Sequence, residues 1–159
     1  MSNNPSADRS LRRAANEAHE SFEVRPTTLV SYRSEGRLLI IGSAARVAEA
    51  LEALSDGLQT HALLVDACPP QLSERLRAGR IGWLERAGSV AVSGYPGAFR
   101  VTAEFDGKIV EINPLLLSRD IHLDLILDLQ DAPSIPLPVP PIGYCAPRAG
   151  EDRLRAALE

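Results

Sequence analysis

The stretch from Arg37 to Asp66 constrains the fold most. Arg37-Leu-Leu-Ile-Ile-Gly42 is a near-continuous apolar run stopped by glycine, and Thr60-His-Ala-Leu-Leu-Val-Asp66 is a second, closed by Cys68-Pro69-Pro70. Unbroken apolar runs of this length mark strands buried on both faces, because a strand with one wet face alternates. Between them Ser43 is placed to cap a helix from Ala44 to about Leu54, on which Val47, Ala48, Leu51 and Leu54 share a face, and Asp56-Gly57 ends it. Two buried strands joined by a helix of this length form a βαβ crossover, which makes the strands parallel. The expected fold is α/β: a Rossmann-like three-layer domain, mainly parallel, with an antiparallel hairpin and a Pro-rich C-terminal strap.

Further along, Gln71 to Ala78 is a short helix, with Leu72 and Leu76 one turn apart and Gly79 as its stop. Arg80 to Glu85 reads as a brief strand or turn, and Ser89 to Gly94 as a strand. From Ala98 to Phe105 the residues Phe99, Val101, Ala103 and Phe105 alternate with Arg100, Thr102 and Glu104, the period of a half-buried strand. Asp106-Gly107 is a hairpin turn and Lys108 to Asn113 the return strand, so an antiparallel ribbon attached to the parallel sheet is expected. Asn113-Pro114 opens a helical turn through Leu117. Ile121 to Leu129 reads as a third sheet strand with Ile121, Leu123, Leu125, Leu127 and Leu129 on one face, opposite His122, Asp124 and Asp128.

The two ends differ from this middle. Residues 1–26 are a polar arm or an amphipathic helix, with Leu11, Ala14, Ala15, Ala18 and Phe22 at helical spacing, and 27–132 form the α/β domain. Six of the 12 prolines fall between Pro133 and Pro147, so 133–149 is an extended strap or linker, partly polyproline II, because proline donates no ladder hydrogen bond. Residues 150–159 begin a helix of barely two turns, marginal unless it docks or continues. The end reads as the boundary of a truncated chain, with Leu158-Glu159 either native or a cloning remnant.

Composition excludes several functions. Seventeen Lys and Arg against 21 Asp and Glu give a net charge of -4, without the basic stripe that nucleic acid requires. Cys68 and Cys145 are far apart, with no CxxC or Cys/His spacing, so no metal or cluster is expected in this chain alone. No apolar run approaches the roughly 18 residues of a membrane span, and the N-terminus has no secretory h-region, so a cytoplasmic protein is expected.

Gly42 and Ser43 stand where a doubly wound sheet places its ligand, and Asp66 ends the second strand where a dinucleotide fold keeps its ribose-binding acid. The loop has one glycine where the dinucleotide fingerprint has three, so a plain strand-to-helix turn is the competing reading. Gly94-Tyr95-Pro96-Gly97 is either turn chemistry or a docking loop with Tyr95 as the contact. His122, Asp124 and Asp128 lie on a polar solvent face or on a helix-covered face with paired acids. With no GxSxG elbow and no Ser/His/Asp order, no catalytic residue is assigned.

Taken together, Tyr32-Arg-Ser-Glu-Gly-Arg-Leu-Leu-Ile-Ile-Gly42, Gly94-Tyr-Pro-Gly-Ala-Phe-Arg100, Asp124-Leu-Ile-Leu-Asp-Leu129 and Pro140-Pro-Ile-Gly-Tyr-Cys-Ala-Pro147 resemble the N-terminal, cysteine-poor region of a family of bacterial ferredoxin-like iron–sulfur proteins. The resemblance implies a non-catalytic accessory or docking domain of an electron-transfer protein, with Tyr95 and Tyr144 as interaction residues. Its partners would be a C-terminal ferredoxin-type domain of the same protein, carrying the four-iron, four-sulfur clusters, and a redox enzyme; no cofactor would sit in this chain. Two alternatives stand beside it. One is a degenerate Rossmann-like nucleotide or small-ligand domain, with or without enzymatic activity, using Gly42, Ser43 and Asp66. The other is a stand-alone interaction protein whose proline strap is the recognised segment.

Overall fold

A computed structural model describes residues 34–54, 57–117, 122–137 and 139–146. The helices expected within 1–26 and 150–159 lie outside the described residues, as does Ile121. The order begins β1 (Arg37–Gly42), α1 (Ala44–Ala53), β2 (Gln59–Leu64), α2 (Pro70–Ala78) and β3 (Gly82–Leu84). There follow β4 (Val90–Ser93), β5 (Arg100–Phe105), β6 (Lys108–Glu111), a single turn α3 (Asn113–Leu116), β7 (Leu125–Asp128) and β8 (Tyr144–Cys145).

Five strands form a parallel sheet in the order β3-β2-β1-β7-β8, and β4-β5-β6 form a separate antiparallel sheet. Alternation along β1 assigns the two faces. Leu39 and Ile41 join Leu63 and Ile126 against Val92, Phe99, Val101 and Ala103 of the second sheet and its leading turn. Leu38 and Ile40 join Ala62, Leu64 and Leu127 against Val47 and Ala50 of α1 and Leu72 and Leu76 of α2. The domain is thus α/β and Rossmann-like, with a helical layer, a parallel sheet and an antiparallel sheet. Leu39, Ile40 and Ile41 are fully buried, each contributing about 1.5–3 kcal/mol by leaving water.

Of the two readings of Arg80 to Glu85 the strand is the one formed: Gly82–Leu84 is a parallel edge strand. Two expectations are corrected. The antiparallel ribbon is a sheet of its own, joined to the β7 segment by one bridge between Phe99 and Leu123. β7 is only four residues long, and Leu123 packs with Phe99 while Leu125, Leu127 and Leu129 pack on the helical side. The alternation breaks at Asp124, a bend whose buried carboxylate accepts from the backbone of Glu35 (2.8 Å) and Arg37 (3.0 Å) and so ties the entry of β1 to β7.

The strap is the crossover between β7 and β8. Parallel neighbours require the chain to return from one end of the sheet to the other, a task a helix performs between β1 and β2. Here the proline content forbids a helix.

Candidate ligand crevice at the sheet's switch point

From β1 the chain moves one way to β2 and β3, while β7 and β8 lie on the other side. The point where strand order reverses is the carboxyl end of β1 and β7, the place where open α/β sheets hold ligands. A cleft of about 350 Å³ opens there, lined by Ser43, Arg46, Val65, Gly88, Gln130, Asp131 and Ala132.

Each predicted residue at this end is accounted for by a specific contact. Ser43 takes the extended N-cap conformation (φ −68°, ψ 154°), and its hydroxyl accepts from Arg46 N at 3.5 Å. Asp66, exposed at the end of the β2 segment, turns its Oδ1 onto the first helical amide, Ala44 N, at 2.8 Å. Gly42 is a glycine for packing reasons: a Cβ there would stand 3.0 Å from Leu129 Cβ. Arg46, which spacing alone did not single out, donates to Leu129 O at 2.5 Å and to Asp131 Oδ1 at 2.7 Å. Gln130 donates to Asp128 Oδ1 from both its backbone and its side chain, each at 3.1 Å. The structure therefore brings Gly42, Ser43 and Asp66 together, with the helix amide already satisfied by a carboxylate.

The two predicted interaction tyrosines have different fates. Tyr95 is 57% exposed, in a turn closed by Ala98 N donating to Tyr95 O at 2.8 Å. Pro96 and Gly97 (φ 77°) occupy the positions that a type II turn assigns to them. Tyr144 is buried: its hydroxyl donates to Asp128 Oδ2 at 2.6 Å and accepts from Ile135 N at 3.1 Å. Burial, reinforced by the Asp128 carboxylate, pushes the phenol well above its usual range. Tyr144 is thus a strut between sheet and strap and offers no surface to a partner. Asp128, 1% exposed, also accepts from Ser134 N at 2.7 Å, so the carboxylate expected on a solvent face or a helix-covered one is an internal anchor for the strap. The signal for this network was an acid closing an apolar strand ahead of a proline run, but only the folded strap reveals its donors.

A larger cavity, about 510 Å³, opens at the amino end of β2, the end of a parallel sheet that ligands do not use, beside Leu51, Leu58, Thr60 and Arg80. His61 borders it; its Nδ1 is buried with no hydrogen-bond partner among the described residues, and burial together with Arg37 lowers its pKa. Cys68 and Cys145 are free thiols. Cys145 lies on β8 and Cys68 in the loop between β2 and α2, and β1 and β7 stand between β2 and β8 in the sheet. Burial raises the pKa of both.

No protein-family model and no curated protein matches the sequence. Solved structures similar to it include the bacillithiol disulfide reductase Bdr (YpdA) from Bacillus cereus, 19% identical over 61% of this chain and 29% of that chain, with a TM-score of 0.36. The Staphylococcus aureus protein of the same name is 18% identical over 62% of this chain and 29% of its own, with a TM-score of 0.37. The chain therefore spans less than a third of the length of these structures. The resemblance to ferredoxin-like iron–sulfur proteins is thereby corrected: no such family matches the chain, and the similar structures named above are disulfide reductases. The motifs that carried the resemblance serve local ends, a buried strand, a Pro-Gly turn, β7 and the return of the strap into β8. Such strand and turn signals recur in unrelated α/β domains.

Proposed function

We propose that this chain is a degenerate Rossmann-like binding domain without turnover of its own, whose crevice takes a nucleoside-type ligand in place of a dinucleotide. The observation that carries this reading is the 2.8 Å hydrogen bond from Ala44 N to Asp66 Oδ1. An acid at the end of the second strand holds ribose hydroxyls in dinucleotide folds, and the amides of the following helix hold pyrophosphate. Here the acid has turned onto the amide. A phosphate brought to α1 meets a carboxylate of like charge, whereas a ligand bringing hydroxyl donors meets an acceptor. Arg46, Gln130 and Asp131, which line the neighbouring cleft, are already engaged: Arg46 with Leu129 O and Asp131, and Gln130 with Asp128. This arrangement supports binding over catalysis.

Thermal-shift measurements with adenosine, AMP, ADP and NAD test the reading. Adenosine at about 100 times its dissociation constant should stabilise the fold by about 2.7 kcal/mol, and added phosphates should bring nothing more. A shift that grows with each phosphate, or no shift with any of the four compounds, overturns it.

A further inference from the structure

We propose that Val139-Pro140-Pro141-Ile142, flanked by Leu137, is a pre-formed polyproline II ligand for a protein domain with an aromatic-lined groove. Backbone chemistry sets its shape. Pro140 and Pro141 fix their own φ, and a residue before proline is driven to extended or polyproline II geometry, which covers Val139 and Pro140. Ile142 follows at the first central position of a turn closed by Tyr144 N donating to Pro141 O at 3.1 Å, with Gly143 at φ 85°. In a type II turn that first position is itself close to polyproline II.

The segment is held at both feet, and Leu137, Val139 and Ile142 between them are exposed. At one foot Ser134 N and the Tyr144 hydroxyl donate to Asp128, at 2.7 and 2.6 Å, and Ile135 N donates to Tyr144 Oη at 3.1 Å. At the other, Ile126 N donates to Gly143 O at 2.8 Å. Between the feet Val139 is 82% exposed, Ile142 86% and Leu137 59%. Val139 and Ile142 are three residues apart, one turn of polyproline II, and so lie along one edge.

The chemistry of the segment selects its partner. Its two prolines have no N–H, so the backbone offers mainly carbonyl acceptors. No charged residue occurs from Ala132 to Ala146, which leaves nothing for a charged surface to recognise. A groove of tyrosine and tryptophan supplies what fits: flat rings against the proline and aliphatic edges, and indole and phenol donors for the carbonyls. Because the feet are already fixed, binding loses little conformational entropy.

The intact chain titrated into a purified WW domain, and separately into an SH3 domain, with groove tryptophan fluorescence as the signal, tests the proposal. Saturable binding to at least one is expected, weakened about tenfold or more by the double variant Val139→Asp/Ile142→Asp, whose melting temperature should equal the parent's because both residues are exposed. Raising the salt to about 1 M should leave affinity nearly unchanged, since no charge takes part. A synthetic peptide spanning Ser134 to Tyr144 should bind more weakly than the chain. Binding to neither domain, equal binding by the double variant, or a peptide as tight as the chain overturns the proposal. So does a chain that is dimeric by light scattering and becomes monomeric in the double variant, since the segment would then be a self-interface.

Discussion

The two sides of β1 are built by different means. Toward β2 and β3 the strands are joined by helices and held by apolar contact: Val47, Ala50, Leu72 and Leu76 cover Leu38, Ile40, Ala62 and Leu64. Toward β7 and β8 the crossover is a proline strap, and buried polar side chains do the joining. Asp124 holds the start of β1, while Asp128 accepts from Gln130 N, Gln130 Nε2, Ser134 N and the Tyr144 hydroxyl. A helical crossover satisfies its own backbone and needs from the sheet only an apolar face. A proline-rich crossover cannot, so acceptors and donors must come from the strands it connects. One side should therefore be sensitive to lost volume, the other to a lost charge or hydroxyl.

The largest expected effect is on the strap side. Asp128→Ala removes a buried carboxylate with four donors, and hydrogen bonds to charged groups are worth about 1.5–3 kcal/mol each, so a loss of about 4 kcal/mol or more in urea unfolding is expected. A loss under about 1 kcal/mol would break the comparison. On the helical side Ile40→Ala should cost about 3 kcal/mol through the cavity it leaves, and Ile40→Val much less. Tyr144→Phe keeps the ring and removes both hydroxyl bonds, for about 1–2 kcal/mol, and should increase protease cleavage within the strap before the domain unfolds.

The smallest effect is a pH dependence. Burial and the Arg37 charge hold the folded-state pKa of His61 below the ordinary histidine value of about 6.5. The unfolded chain thus takes up the proton first. The contribution of His61 to stability is complete above about pH 6.5 and is lost as pH falls from there toward the folded-state value. A His61→Gln variant should show a flatter fall in stability between about pH 7 and pH 5 than the parent. Parallel slopes would show that His61 does not titrate differently in the two states.

This contrast also explains what could be read from the sequence. β1 and α1 follow the apolar runs and the Ser43 cap closely, because local pattern and tertiary environment agree there. The Asp106-Gly107 turn was legible for the same reason, both residues having positive φ (49° and 75°) as a two-residue hairpin turn requires. β3 was indistinct because three residues carry no period. The independence of the second sheet depends on contacts between distant segments, such as Phe99 with Leu123. The strap side was least legible: nothing in the spacing of Asp128 and Tyr144 across a proline run shows that the two meet. At the crevice, spacing placed Asp66 at the end of the second strand, but the direction of its carboxylate, on which the functional reading turns, is a property of the folded loop.

The central claim is that Asp66 has taken the phosphate position at α1 and left an acceptor for a ligand without phosphate. Calorimetric titration of adenosine and ADP into the parent and into Asp66→Ala tests it directly. Removing the exposed carboxylate and its bond to Ala44 N should itself cost only about 1 kcal/mol of stability, with the Ser43 cap retained, so both proteins remain folded. The account predicts that the parent binds ADP no more tightly than adenosine, and that Asp66→Ala weakens adenosine and strengthens ADP. ADP binding the parent about tenfold or more tighter than adenosine, with Asp66→Ala leaving that ratio unchanged, would contradict it.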